Sequence, residues 1–220
     1  MSLADLQKRR RKTPRLRRGL PRKQQMAVRS YGTAVGELVW ASNHCLNHFN
    51  LLYREIFSKD DIKIAVRTWH TGRSDSSQLD MVEAAANGSR MIRLSTVDEI
   101  VWAIVRARKL SEKRNDAVHS TTTFHMKRPN SPVKVITSSI STLPSRFEKL
   151  SVIRNLARHF RVVRNDFIQL TNYVYYLWNE VAFPGYQPLP KRPRLRSVPE
   201  DSEKKKLNRN LRHQGRTLRP

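Results

Sequence analysis

The chain reads as all-α: an up-and-down helical bundle of about five helices, with a small β-hairpin or extended-loop insertion and disordered basic tails. Three observations predict this. Apolar residues recur every three or four positions along several long stretches. Short polar connections carrying helix-capping signatures separate those stretches. The positive charge is concentrated at the two ends, where no apolar period accompanies it. The expected organisation is a disordered basic arm over 1–23, a helical domain over 24–185 and a disordered Pro-, Lys- and Arg-rich tail over 186–220.

The charge is the loudest global feature. The 220 residues carry a net charge of +25. Residues 1–30 hold 11 Lys and Arg against one acid, and residues 191–220 hold 11 against three. The 160 residues between them hold 21 basic and 14 acidic side chains, a modest excess. Polycationic segments of this kind bind polyanions by releasing counterions, without sequence preference. Nucleic acid is the expected partner, through Arg9, Arg10, Arg11, Lys12, Arg15, Arg17 and Arg18 at one end. Lys191, Arg192, Arg194, Arg196, Lys204, Lys205 and Lys206 would serve at the other. Lys191-Arg192-Pro193-Arg194 also resembles a nuclear import signal, a match common in polybasic tails.

No apolar run reaches the 18 or more residues of a spanning helix, and no secretory signal opens the sequence. Cys45 is the only cysteine, so no internal disulfide can form, which suits a reducing compartment. A cytoplasmic protein without cofactors, metal or membrane is expected.

The first helix is expected from about Gln24 to Phe57, with Val35, Leu38, Val39, Leu46, Phe49, Leu52, Tyr53 and Ile56 on its buried face. His44 and His48 lie one turn apart on it, a spacing that metal ligation can use. No Cys, Asp or Glu cluster accompanies them, so two ordinary histidines are the plainer reading. Asp60-Asp61 suits the positive start of a second helix, Ile62 to about His70, anchored by Val66 and Trp69. A polar turn from Thr71 to Asp75 leads to a third helix on Leu79, Val82 and Ala85, ending at Asn87-Gly88.

Thr96-Val97-Asp98-Glu99 has the form of a capping box and predicts the start of a fourth helix, striped by Val97, Ile100, Val101, Ile104 and Val105. Trp102 reads as core or interface. Arg106, Arg108, Lys109 and Lys113 could guide phosphate or form a solvated face. Beyond His119 the β-branched runs Thr121–Phe124 and Val133–Thr137 predict the hairpin. A second capping box at Ser145–Glu148 opens the last helix, which runs to about Phe183 and stops at Pro184-Gly185. Leu150, Ile153, Leu156, Phe160, Val163, Phe167, Leu170, Val174, Leu177 and Val181 mark one face of it. Its cluster of Tyr173, Tyr175, Tyr176 and Trp178 reads as core or dimer interface.

The chemistry-bearing stretch is Leu110 to His119. Histidine exchanges a proton near neutral pH. Arginine holds phosphate with a planar fork of donors. Asn115, one helical turn before His119, can fix the imidazole's tautomer. Five residues place Arg114 and His119 about 140° apart on a straight helix. They meet only if the helix breaks between them or a second protomer supplies one, which predicts a homodimer through the fourth and last helices.

Arg114, Asn115 and His119 resemble, position by position, the motif of the HEPN superfamily, an Arg, a polar residue, then a His four to six positions after the Arg. The run from Trp69 to His119 also resembles a group of uncharacterised bacterial proteins. A second copy, Arg154-Asn155-Leu156-Ala157-Arg158-His159, falls within a helix. The resemblance implies an all-α fold and metal-independent cleavage of RNA by a dimer, sometimes held by an antitoxin-like partner. His119 would be the general base, Arg114 the phosphorane stabiliser and Asn115 the orienting amide. The other reading is a non-catalytic helical module whose cationic arms bind RNA or DNA. Nothing in the sequence suggests a phosphate loop, a zinc quartet or a Ser-His-Asp arrangement.

Overall fold

The computed structural model describes residues 22–57, 61–119, 121–125, 134–138 and 153–198. The chain is helical. Among the described residues the elements in order are α1 (Arg22–Phe57), α2 (Ile62–Trp69), α3 (Asp75–Gly88), α4 (Leu94–His119), strands β1 (Thr121–His125) and β2 (Lys134–Ser138), and α5 (Ile153–Ala182). The expected 1–23 arm falls outside the described residues up to Pro21, while Arg22 and Lys23 belong to α1. The capping box at Ser145–Glu148 also falls outside them.

Each local start has a visible cause. The Asp61 carboxylate accepts from the backbone N–H groups of Lys63 and Ile64, so it caps the eight-residue α2. Ser74 and Ser77 cap α3 reciprocally, each side chain taking the other's backbone N–H. The turn between α2 and α3 holds Gly72, where even a lone Cβ would lie 2.9 Å from Gln78 Cγ and 3.3 Å from the Trp69 carbonyl oxygen and force a shift. After α5 the chain turns at Gly185, whose φ of +79° suits glycine.

The expected cap of α4 is corrected. The helix begins at Leu94, and the Arg93 carbonyl accepts from the N–H groups of both Thr96 and Val97. Thr96 is buried inside the first turn rather than capping it. Glu99 faces α5, where it accepts from Tyr173 Oη, and so does not reach back as a box residue.

Side-chain pairs fix the helix directions. Ser30 meets Arg161, Glu37 meets Arg164, and His48 meets Tyr175, so α1 and α5 run parallel. Tyr173 reaches Glu99 while His159 lies in the field of Lys113 and Asp116, so α4 opposes α5. Asp80 and Glu83 bind Arg108 while Asp75 binds Arg114, so α3 opposes α4. The most extensive packing joins α1 to α5, the first and last helices.

The core runs between them. Leu38, Phe49, Leu52, Phe160, Phe167, Leu170, Val174 and Leu177 are fully buried with Leu79, Val82, Ile100 and Ile104. Small residues complete it where periodicity favoured larger neighbours: Ala65 is buried beside Trp69, while Val66 is only half-buried. β1 and β2 pair antiparallel, with Phe124 opposite Val135 and Thr121 opposite Ser138.

One segment departs from its expected disorder. Residues 186–198 lie against the helices as far as Val198. The buried Asp166 carboxylate accepts from the N–H groups of Arg196 and Ser197 and from the Ser197 hydroxyl. Leu195 and Val198 are 5% exposed. The sparse apolar residues of this strap carry no helical or strand period because it is neither. It follows the surface in irregular form, and the backbone donors of Arg196 and Ser197 are satisfied by a side chain instead of a ladder.

Candidate functional site

The motif residues stand at the C-terminal end of α4, and the helix is continuous through all of them. The break that would let Arg114 and His119 share a face inside one chain is absent among the described residues. Arg114 turns toward α3. Its guanidinium is ion-paired to Asp75, the first residue of that helix, and its side chain is only 16% exposed. Asn115, one turn before the end of α4, and His119, its last residue, are exposed. The structure therefore brings Asn115 and His119 to an open surface and Arg114 to a carboxylate.

A second imidazole lies near this end. His159 of α5 is half-buried, and its pKa is lowered by burial and then by Lys113, with Asp116 opposing the shift. The two motif copies thus approach each other along the antiparallel α4 and α5. The Arg154 side chain falls outside the described residues.

Two of the four cations before the motif, Arg106 and Arg108, are engaged within the fold. Arg106 is 4% exposed and lies over the Trp102 ring at 5.6 Å. Arg108 bridges Asp80 and Glu83, at 2.5 and 2.7 Å. Among the expected tail contacts, Arg192 is bound to both carboxylate oxygens of Glu99, at 2.7 and 3.1 Å, and its guanidinium also lies over the Trp102 ring, at 5.2 Å. Burial alone would raise the Glu99 carboxyl, but hydrogen bonds from Arg192 and Tyr173 and the Arg192 charge hold it below the usual range. Lys191, Arg194 and Arg196 are exposed. Arg9, Arg10, Arg11, Lys12, Arg15, Arg17, Arg18, Lys204, Lys205 and Lys206 lie outside the described residues.

His44 and His48 point to the surface of α1. The His44 carbonyl accepts from His48 Nδ1 at 3.0 Å, and burial followed by the His48 charge lowers the His44 pKa. Among the described residues no group of three or more His, Cys, Asp or Glu stands close enough to hold a metal ion. No described helix is long and apolar enough to cross a membrane. Cys45 is buried, and that burial pushes its thiol up to about 12 against a hydrogen bond with Thr171. A thiol held protonated in this way is a poor nucleophile.

Periodicity could not reveal Asp75 as the partner of Arg114, because the pair joins two helices 39 positions apart. The strap on Asp166 was hidden for the same reason. No protein-family profile, curated protein or solved structure matches the chain.

Proposed function

We propose that this chain is a nucleic-acid-binding helical protein, with RNA the favoured partner, that holds phosphate through cations at its two ends without cutting the strand. The observation carrying the reading is the placement of charge: most of the +25 resides in the terminal segments, where 22 basic residues face four acids. Cations gathered this way bind a phosphate backbone with strong salt dependence. The Arg114–Asp75 pair favours binding over cleavage. A guanidinium already neutralised by a carboxylate is poorly placed to stabilise a phosphorane.

The second reading is a metal-independent endoribonuclease of HEPN type using Arg114, Asn115 and His119. One observation favours it: Asn115 and His119, one turn apart at the C-terminal end of α4, are both exposed and open to a ribose 2′-hydroxyl. It requires Asp75 to release Arg114, or a second protomer to supply the arginine, because α4 is unbroken between the two. A homodimer through α4 and α5 that joins Arg114 of one copy to His119 of the other, and an antitoxin-like partner, belong to that reading, while a cytoplasmic location suits either one. The architecture we infer is an up-and-down bundle into which the β1–β2 hairpin is inserted between α4 and α5. The alternation of α3, α4 and α5 supports it, as does α2 folding back to place Trp69 5.6 Å from Tyr53 of α1.

The test is binding of labelled single-stranded RNA by the full chain and by a chain lacking 1–21 and 199–220, cuts that leave α1 and the strap whole. The trimmed chain is expected to bind more weakly, with a shallower slope of log affinity against log salt. Each phosphate contact removed lowers that slope by about 0.7 for a single strand. Equal affinity and slope would overturn the role of the ends. In the same samples, chelator-treated protein is expected to leave RNA intact. Fragments ending in 2′,3′-cyclic phosphate that vanish in His119→Ala would instead establish the nuclease.

A further inference from the structure

The chain is 28% charged, yet two helical stretches carry no Lys, Arg, Asp or Glu: Leu38 to Tyr53 in α1 and Phe167 to Asn179 in α5. The parallel packing of α1 and α5 sets these stretches side by side. Their inner positions are the core, which explains part of the depletion. Their outer positions ordinarily face water and would carry charge in so basic a chain. They carry rings and amides instead.

The rings form one continuous row across both helices. Trp40, 61% exposed, stacks on His44 with centroids 5.1 Å apart and planes 8° apart. His44 meets the edge of His48 at 4.7 Å, and His48 meets Tyr175 at 6.2 Å. Tyr175 then contacts Tyr176 and Trp178, at 6.2 and 5.6 Å. Leu51 and Ile168 add exposed apolar surface beside the row. Ordered, exposed aromatics of this size are costly to leave in water and are the anchors around which protein interfaces are built.

We propose that this α1–α5 face is the contact between two copies of the chain, meeting about a two-fold axis. Charge chooses this occupant. A polyanion needs cations close to the rings it stacks on, whereas here Arg164, on the α5 side, is paired to Glu37 at 2.8 Å, and Arg54 of α1 stands only at the far end of the uncharged stretch. Two copies each carrying +25 repel one another over most of their surfaces. The uncharged face is where they can approach without burying like charges. Closed two-fold dimers, the commonest oligomers, use one such self-complementary patch. A contact here lies at the end of α5 beside Glu99, away from the end where His159 approaches Asp116. It therefore does not join Arg114 of one copy to His119 of the other, and it stands whether or not the chain binds or cleaves RNA.

The experiment is sedimentation equilibrium of the full chain, freed of nucleic acid by nuclease and salt, across low to high micromolar concentrations. The mass is expected to rise from the single-chain 25.7 kDa toward twice that value. Raising salt is expected to strengthen the association, because screening weakens like-charge repulsion. Trp40→Glu and Tyr175→Glu alter exposed positions. Each is expected to weaken self-association about 30-fold or more, the range for a central aromatic anchor, with the far-UV CD spectrum unchanged. A wild-type chain that stays at single-chain mass, or a dimer indifferent to both substitutions, overturns the proposal. So does a monomer whose Trp40 fluorescence is quenched by a single-stranded oligonucleotide and whose quenching fades with salt, which would make the face a base-stacking platform.

Discussion

Asp75 and Arg114 hold α3 to α4 with side chains 29% and 16% exposed, so each would leave the other's charge half-sheltered if removed. Asp75→Ala is expected to lower stability by about 1–2 kcal/mol, between the values for exposed and buried pairs, read as a shift in urea midpoint. Arg114→Ala should cost a similar amount, so any loss of RNA cleavage in that variant must be weighed against unfolding. His159→Gln is the cleaner probe of acid sensitivity. Burial and Lys113 depress the folded His159 pKa, so the unfolded chain takes up the proton first as pH falls. Stability is then full above the ordinary histidine pKa and declines as pH drops through the window below it. His159→Gln should flatten that decline between about pH 7 and 5 in urea midpoints measured across the range. At the residue scale the sequence showed the histidines and the arginines plainly. It did not show their partners, because Asp75, Asp116 and Glu83 reach them from other helices.

At the scale of elements, α2 depends on its cap. Eight residues are too few to hold a helix in water unaided. The Asp61 carboxylate and the burial of Ala65 and Trp69 against α1 supply what length does not. Asp61→Ala is expected to cost about 1 kcal/mol and to raise amide hydrogen exchange across Ile62–Trp69 before the rest of the fold responds. The bounds of α1 and α2 and the end of α5 were legible in the sequence to within a few residues because their apolar stripes are long, while the expected opening of the last helix at Ser145–Glu148 lies outside the described residues. The start of α4 was misread for a physical reason. Thr96-x-x-Glu99 satisfies the pattern of a box, but burial of Thr96 and the attraction of Glu99 to Tyr173 and Arg192 outweigh a local cap. The aromatic cluster of α5 was visible as composition, while its continuation through Trp40, His44 and His48 required the two helices to be side by side.

For the whole molecule, the described fold reaches further into the cationic end than the composition suggests, at least to Val198. Deleting 199–220 should leave the thermal midpoint nearly unchanged. Deleting 186–220 should lower it by several degrees or more. The second cut uncovers Leu195 and Val198 contacts and strands the buried Asp166 carboxylate without its three donors, a loss of about 3 kcal/mol or more by comparison with other unpaired buried charges. Scanning calorimetry of the two truncations separates these outcomes. The sequence could not reveal the strap, because prolines and arginines read alike in a strap and in a tail.

The pairing of α1 with α5 also sets a timetable for synthesis. The ribosome finishes α1 at Phe57 and does not begin α5 until Ile153. At about 5–20 residues per second, roughly 5–20 s pass between the two. Throughout that interval Leu38, Phe49 and Leu52 lack the helix that covers them in the finished fold. A nascent chain in that state is a substrate for holding chaperones, and a message truncated before the last helix would yield a product that aggregates instead of folding.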